Sequence, residues 1–422
     1  MEGEERIIVR HSAPLRGEVQ VPGAKNSVLK LMAITLLADG EYTLTNVPDI
    51  ADVTIMGDLL AAIGVRITRR AGDELTMVNG GEIRPVAPYE LVERIRASIN
   101  VLGPLLGRYG SVTLSLPGGD DFGSRPIDMH LRGLEAMGAE FRIRHGNVEA
   151  RAERLHGADI TLEFPSVGAT ENILTAAVHA KGTTVIDNAA REPEICDLCA
   201  MLVGMGAEIE GAGASTLVIH GVEPGSLRPV DHEVVTDRIQ AATYLAATAI
   251  TGGEVVLRGA RAEHMETLLR RFAEMGMTIT DLGGSLAAWS PPGRLHSIDV
   301  ATLPYPGIAT DYKPLITTLL SVADGVGIVT ENLYPGRFRY VEELQRLGAD
   351  IRTDGHHAVV RGVGRLSGAP VRAPDIRAGA ALVVAGLAAE GETAISGVHH
   401  VDRGYDDLVG RLRSLGADIT RD

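Results

Sequence analysis

A helix-like segment ending in an apolar residue and a glycine recurs six times, at Gly64, Gly138, Gly206, Gly276, Gly348 and Gly416, at intervals of 74, 68, 70, 72 and 68 residues. The residue before each glycine is Ile63, Met137, Met205, Met275, Leu347 or Leu415, and four before it stands Leu60, Leu134, Leu202, Phe272, Leu344 or Leu412. Apolar positions at these offsets mark one buried helix face. The glycine suits the left-handed backbone that closes a helix. A unit of this size cannot bury such a face alone, so the copies must share a core.

Each unit also carries a strand signal upstream of its helix, as in Tyr42-Thr-Leu-Thr, Thr183-Thr-Val-Ile, Val255-Val-Leu and Gly327-Ile-Val-Thr. A short apolar run follows several of the glycines, as in Ala349-Asp-Ile-Arg and Ala417-Asp-Ile-Thr. Asp354-Gly355 between two strand-like runs reads as a hairpin. Second helices, such as 241–249 and 378–387, bridge to the next unit. The fold class is therefore α/β: two similar domains, each of three repeated strand-helix-strand units around a helical core. The boundary falls near Pro229 to Val235. The N-terminal strand, Arg6 to Arg10, can pair with either half on pattern alone.

Aromatic residues make up only 4% of the chain, so aliphatic side chains must fill these cores. A formal net charge of −15 argues against a general nucleic-acid surface while permitting a local basic pocket. No apolar run approaches the ~20 residues a membrane-spanning helix needs, and the first residues lack a signal-peptide core. The expected address is the cytoplasm. Cys196 and Cys199 form a lone C-x-x-C on a helical pattern, and no second pair completes a zinc site, so packing is the expected role. Neither a metal nor another cofactor is implied. His356-His357 and His399-His400 read as turn or surface residues.

The repeat concentrates basic chemistry. Arg125, Arg191, Arg261, Arg337 and Arg403 fall 11 to 15 residues before their repeat glycines, in loops at helix starts. Such loops favour phosphate or carboxylate ligands. Two or three of the five are expected to face one cleft, and the rest to pair locally. The stretch Ser115-Leu-Pro-Gly-Gly-Asp-Asp-Phe-Gly-Ser-Arg-Pro-Ile-Asp-Met-His130 joins a strand to a helix through glycines, two carboxylates and an arginine. That composition suits an anionic ligand, and equally a solvated connection.

These motifs resemble the enolpyruvyl transferases over essentially the whole chain. Pro22-Gly-Ala-Lys-Asn-Ser27, Arg94-Ile-Arg-Ala-Ser98, the 115–130 loop and Phe164-Pro-Ser-Val-Gly-Ala-Thr170 match in order. Asn188 to Glu194, Thr310-Asp311, Asp375-Ile-Arg377 and His400-Val-Asp-Arg-Gly-Tyr405 follow. The branch acting on shikimate 3-phosphate carries a Lys-Ser pair with a following Arg, absent here. The resemblance implies an inside-out α/β barrel architecture. One domain would span 23–235 with a closing loop at 115–130; the other would comprise 1–22 and 236–422, with the active site in the cleft between them. The implied reaction moves enolpyruvate from phosphoenolpyruvate to the 3-hydroxyl of UDP-N-acetylglucosamine, with release of phosphate, as the first committed step of peptidoglycan synthesis. Its partners would be these small molecules, with no nucleic acid and no membrane; oligomeric state stays open.

Residue by residue, the resemblance assigns Lys25, Arg96, Arg125, Arg377 and Arg403 to phosphoenolpyruvate, with Lys25 and Arg403 also catalytic. Asp120 would be the general acid and Asp311 the base for the acceptor hydroxyl, although Asp311 also suits a helix N-cap. Arg337 matches a pocket position. Asn26, Arg96, Arg125, Pro126, Ile127, Asp128, Met129, Ser166, Val167, Gly168, Asp311 and Leu333 would line the nucleotide-sugar site; Met129 equally suits the apolar face of its helix. Three departures stand out. Asp120 replaces the cysteine of most members, with Asp121-Phe122 following, which implies resistance to fosfomycin. Tyr312 and Lys313 replace an apolar residue and a glutamine, and Leu333 to Gly336 replace Val-Phe-Glu-x, both beside the acceptor sugar. The alternatives are therefore another uridine nucleotide such as UMP as acceptor, or a catalytically silent nucleotide-binding regulator.

Overall fold

The structure, a computed structural model, describes residues 5–70, 72–118, 127–334 and 336–422. The chain divides into two compact units: residues 23–118 with 127–235, and residues 5–22 with 236–422. Asp120, Asp121, Phe122, Arg125, Pro126 and Pro335 lie outside the described residues.

Each unit is built on three buried helices. In the first unit these are Lys25–Ile34, Leu102–Tyr109 and Val167–Ala177. In the second they are Arg238–Thr251, Lys313–Val322 and Ile376–Ala388. Ala378 through Leu387 are buried without a break, which requires a helix apolar on all sides. Several threonine hydroxyls in these helices bond back into their own backbone, as Thr248 does to the Tyr244 carbonyl (2.8 Å) and Thr317 to the Lys313 carbonyl (2.9 Å). Threonine can thus sit in the core without an unmet donor.

The six repeat helices lie outside these bundles and end as their glycines require. Gly64, Gly138, Gly206, Gly276, Gly348 and Gly416 have φ of 126°, 97°, 107°, 116°, 91° and 96°. The sheets repeat one topology. In the first unit, Gly40–Thr45 pairs antiparallel with Leu75–Asn79, which pairs antiparallel with Val65–Arg69, while His232–Glu233 joins parallel at the edge. In the second unit, Val326–Thr330, His357–Arg361, Asp350–Asp354 and Val300–Ala301 reproduce that order, with the hairpin closing at Asp354 opposite His357. Ile7–Arg10 completes the last sheet of the second unit, between Glu392–Ser396 and Ile419–Arg421. Cys199 is buried on the helix Pro193–Met205 and Cys196 is half-buried there, as packing requires. Among the described residues, no helix is long and apolar enough to cross a membrane and no His, Cys, Asp and Glu cluster could hold a metal ion.

Candidate active site

In the first unit, the chain enters the helix Lys25–Ile34 through a contact that admits only glycine. A Cβ on Gly23 would lie 1.8 Å from the Asn46 carbonyl oxygen and 3.3 Å from Val234 Cβ. The Ala24 N–H donates to the Val235 carbonyl (2.7 Å), and Ser27 Oγ donates to Asp197, which also binds His232 Nε2 (2.8 Å) and the Val235 N–H (3.2 Å). This frame sets Lys25 as the first residue of the helix. Its Nζ lies 2.9 Å from Asp52 Oδ2, with the side chains 12% and 2% exposed. Asp52 sits in the first turn of Ala51–Ile63, where the helix dipole favours a carboxylate. Gly23→Ala is expected to destabilise the unit at or above the top of the ~1–3 kcal/mol range for overpacking, because backbone rather than a flexible side chain meets the new methyl. Urea unfolding checks this; an unchanged midpoint contradicts the clamp.

Arg96 opens the 3₁₀ turn Arg96–Val101 and is half-buried. Its charge reaches His130, which is 4% exposed. Burial, then Arg96, against the opposing Asp128, pull the His130 pKa down to about 4, so the ring is neutral at neutral pH. Asn172 Oδ1 accepts the Gly103 N–H (2.8 Å), which turns its amide nitrogen toward His130 Nδ1 (3.0 Å). The His130 proton therefore belongs on Nε2. A Cβ on Gly168 would meet His130 Cε1 at 2.9 Å, so only glycine fits over the ring.

This contact joins two helix starts. Ile127 precedes and Asp128 begins Asp128–Ala136, and Ser166 caps Val167–Ala177 through a bond from the Ala169 N–H to its Oγ (3.3 Å). Ser166, Val167 and Gly168 are half-exposed, and the helix start beside them suits an anion. Met129 is partly buried against the first unit's core, so packing claims at least part of its side chain. Asn26 is half-exposed on the first turn of Lys25–Ile34.

In the second unit, Asp311 does not cap a helix. The helix Lys313–Val322 begins after Tyr312 without a side-chain cap, and the carboxylate turns to arginines instead. Arg337 Nη2 lies 2.9 Å and Arg377 Nε 3.4 Å from Asp311 Oδ1, and 26% of the Asp311 side chain remains exposed. Burial alone would raise the Asp311 pKa. The charges of Arg337, Arg377 and Arg238 override it and hold the carboxyl well below the usual carboxylate range. Arg377 is placed by its helix, whose N-cap Asp375 accepts the Arg377 and Ala378 N–H groups (2.8 and 2.9 Å). Its guanidinium lies 5.5 Å from the centre of the Tyr405 ring, and Tyr405 in turn bonds Thr243 (2.9 Å). Arg377 Nη1 is a buried donor with no protein partner among the described residues.

Tyr312 and Lys313, the departures expected beside the acceptor sugar, are both buried. Tyr312 is 2% exposed and its hydroxyl accepts from Arg238 Nη1 (3.2 Å). Lys313 is fully buried, 2.8 Å from Glu331 Oε2. Both departures are absorbed inside the fold because each gains a buried polar partner. Leu333 and Tyr334 are half-exposed.

Of the repeat arginines, Arg191 is exposed and bonds the Gly213 carbonyl (3.1 Å), and Arg261 is exposed before a short 3₁₀ turn. Arg337 is buried on Asp311, and Arg403 is half-buried after the helix Val398–Asp402. The carboxylate of Asp402 is held by Arg421 at 2.9 and 2.5 Å. A groove of 680 Å³ at the far ends of the second unit's core helices, lined by Thr251, Val322 and Leu387, contains none of the predicted site residues. Sequence reasoning missed Asp52, Arg238 and Glu331, and gave Thr310 no role of its own. A lysine in the apolar run Lys313-Pro-Leu-Ile was the available signal for Glu331, since a buried lysine requires a carboxylate.

The sequence model of the EPSP synthase (3-phosphoshikimate 1-carboxyvinyltransferase) family matches residues 9–412. The UDP-N-acetylglucosamine 1-carboxyvinyltransferase of Mycobacterium tuberculosis (strain CDC 1551 / Oshkosh) is 52% identical over 417 residues, covering 99% of both chains. Its namesake from Nocardia farcinica (strain IFM 10152) is 52% identical over 423 residues, covering 99% of this chain and 98% of that one. Among solved structures, the enolpyruvyl transferase NikO from Streptomyces tendae superposes with a TM-score of 0.90 at 28% identity over 99% of both chains. An EPSP synthase from Acinetobacter baumannii shares the fold, with a TM-score of 0.77 at 20% identity over 99% of both chains. With a matching family model across nearly its whole length and full-length relatives above half identity, the chain belongs to the EPSP synthase family of enolpyruvyl (1-carboxyvinyl) transferases.

Proposed function

We propose that this protein transfers the enolpyruvyl group of phosphoenolpyruvate to the 3-hydroxyl of UDP-N-acetylglucosamine, releasing phosphate, as the first committed step of peptidoglycan synthesis in the cytoplasm. The observation that carries the reading is the 52% identity over 99% of the chain to proteins named for that activity. The addition step forms a bond from the sugar oxygen to C2 of phosphoenolpyruvate and places a proton on C3. Elimination removes a C3 proton and phosphate and restores the double bond.

Asp311 takes the hydroxyl proton. In the free protein it is a weak base, because Arg337 and Arg377 hold its charge. An anionic donor that engages Arg377 would loosen that hold and strengthen the base as the substrates assemble. Lys25, Arg96, Arg125 and Arg403 supply the remaining cations for the phosphate and carboxylate of phosphoenolpyruvate. The helix starts at Asp128 and Val167 take the nucleotide, with Pro126, Ile127 and Met129 against its base and Ser166, Val167 and Gly168 offering backbone N–H groups to the diphosphate. Asp120 donates the proton to C3.

The test is phosphate release from phosphoenolpyruvate with equal concentrations of UDP-N-acetylglucosamine and UMP. The sugar nucleotide is expected to be consumed, because the changes at 312–313 face inward. Faster consumption of UMP overturns the acceptor. Binding of both substrates without turnover overturns the reaction.

A further inference from the structure

Lys313 and Glu331 are each 0% exposed. Every oxygen of Glu331 is engaged. Oε1 accepts from Thr302 Oγ1 (2.7 Å) and from the N–H groups of Leu333 (2.8 Å) and Tyr334 (3.1 Å); Oε2 accepts from Thr310 Oγ1 (2.7 Å) and lies 2.8 Å from Lys313 Nζ. Because Thr310 gives its hydroxyl proton to Glu331, its oxygen is left to accept from Arg337 Nη1 (3.1 Å). Arg337 Nη2 then reaches Asp311 (2.9 Å). Lys313 Nζ also donates to the Arg337 carbonyl and lies 4.0 Å from the centre of the Phe338 ring. The backbone and the guanidinium of Arg337 are thus both set from one buried ion pair.

We propose that Lys313 is a positioning residue: with Glu331 it fixes, from inside the fold, the Thr310–Arg337 contact that orients Asp311 and the turn that presents Leu333. The inference rests on Asp311 being the base of the reaction proposed above. Its logic is directional. Without the ammonium, a buried Glu331 carboxylate has no cation at its Oε2, and it either takes up a proton or shifts. A protonated Glu331 competes for the role of donor to Thr310, and the sense of the chain to Arg337 is lost. The charged groups around Lys313 are Glu331, Arg337 and Asp375; burial, against Glu331, pulls the ammonium down to about 8. The groups acting on Asp311 are Arg337, Arg377 and Arg238.

The experiment pairs Lys313→Met with Glu331→Gln in the full chain, which removes both charges and leaves neither uncompensated. Steady-state kinetics with phosphoenolpyruvate and UDP-N-acetylglucosamine are measured across pH, with thermal unfolding in parallel. The melting temperature is expected to stay near that of the parent, since neutral replacement of a buried pair is often neutral or stabilising. Turnover is expected to fall about tenfold or more with little change in KM for phosphoenolpyruvate, the pattern of a lost transition-state contact, while KM for UDP-N-acetylglucosamine rises as the Leu333 turn loosens. The acid limb of kcat should move up toward ordinary aspartate values as Arg337 loosens. Thr310→Val cuts the chain while leaving both charges of the ion pair in place, at the loss of one hydrogen bond to Glu331 Oε2, and should move the limb in the same direction; it decides the matter if the double variant does not fold. Parent-like turnover and an unmoved acid limb in folded variants overturn the proposal, because core filling alone predicts that result. Absence of turnover in the parent, or full turnover in Asp311→Asn, instead sinks the functional reading and the proposal with it.

Discussion

Asp311→Asn is expected to lower turnover per folded enzyme by about 10²–10⁴-fold, the usual worth of a general base. Asparagine keeps the shape and can still accept from Arg337, yet it cannot take the proton of the acceptor hydroxyl. The substitution also removes the counter-charge of Arg337 and Arg377, which are 5% and 4% exposed. Some loss of thermal stability is therefore expected, and activity must be normalised to folded protein. The pH dependence follows from the same contacts. The Asp311 pKa is lowered in the folded chain, so its contribution to stability is present above the ordinary aspartate value and is lost only as pH falls through the lower folded value. The acid limb of kcat/KM, which reports the free enzyme, should for the same reason not show an Asp311 titration at ordinary aspartate pH. A limb near pH 4 that vanishes in Asp311→Asn would contradict the arginine clamp. Turnover within a few fold of the parent would move the base role to another residue.

The frame around Asp311 was legible in the sequence to an unusual depth because it is repeated. One helix ending at Gly64 is weak evidence, but six such endings predicted six backbone conformations, and all six glycines have positive φ. The core helices were legible for a different reason: 378–387 has no polar face, so it could only be buried. The polar interior was not legible. Asp311 reads as a helix cap because Asp before a helical run normally is one. Its capture by Arg337 and Arg377 depends on residues 26 and 66 positions away, whose approach only the tertiary fold sets. Lys313 likewise reads as a residue beside the acceptor sugar, and Glu331, 18 positions on, pairs with it inside the fold. The proposed nucleotide side shows the same limit. The 128–130 and 166–168 segments were each found by motif, whereas the His130 ring that joins them through Gly168 and Asn172 was not. Local pattern reports where a helix starts; it does not report which starts meet.

Preincubation with fosfomycin and acceptor is expected to leave this enzyme's activity intact, and Asp120→Cys is expected to confer sensitivity. In cysteine-bearing members of the family, the thiol at the matching position opens the drug's epoxide. A thiolate is a strong, soft nucleophile, and a carboxylate is much weaker, so alkylation at Asp120 should be slow or absent. The same substitution need not cost the reaction its acid. An ordinary aspartate titrates near 3.9 and would be almost wholly ionised at neutral pH. Desolvation by bound substrates and a like charge on Asp121 would raise that value, and arginines beside it would lower it. The functional reading requires enough protonated Asp120 in the substrate complex to deliver a proton to C3. Asp120→Asn removes the acid at constant shape and should reduce turnover by about 10²–10⁴-fold. Near-normal turnover there would transfer the acid role, with Asp121 the first residue to examine. Time-dependent inactivation of the parent with an adduct on Asp120 would refute the resistance. Asp120→Cys separates the two properties, since a thiol supplies both a proton and a nucleophile: the variant should turn over and then be lost to the drug, at a rate that rises with pH as thiolate forms.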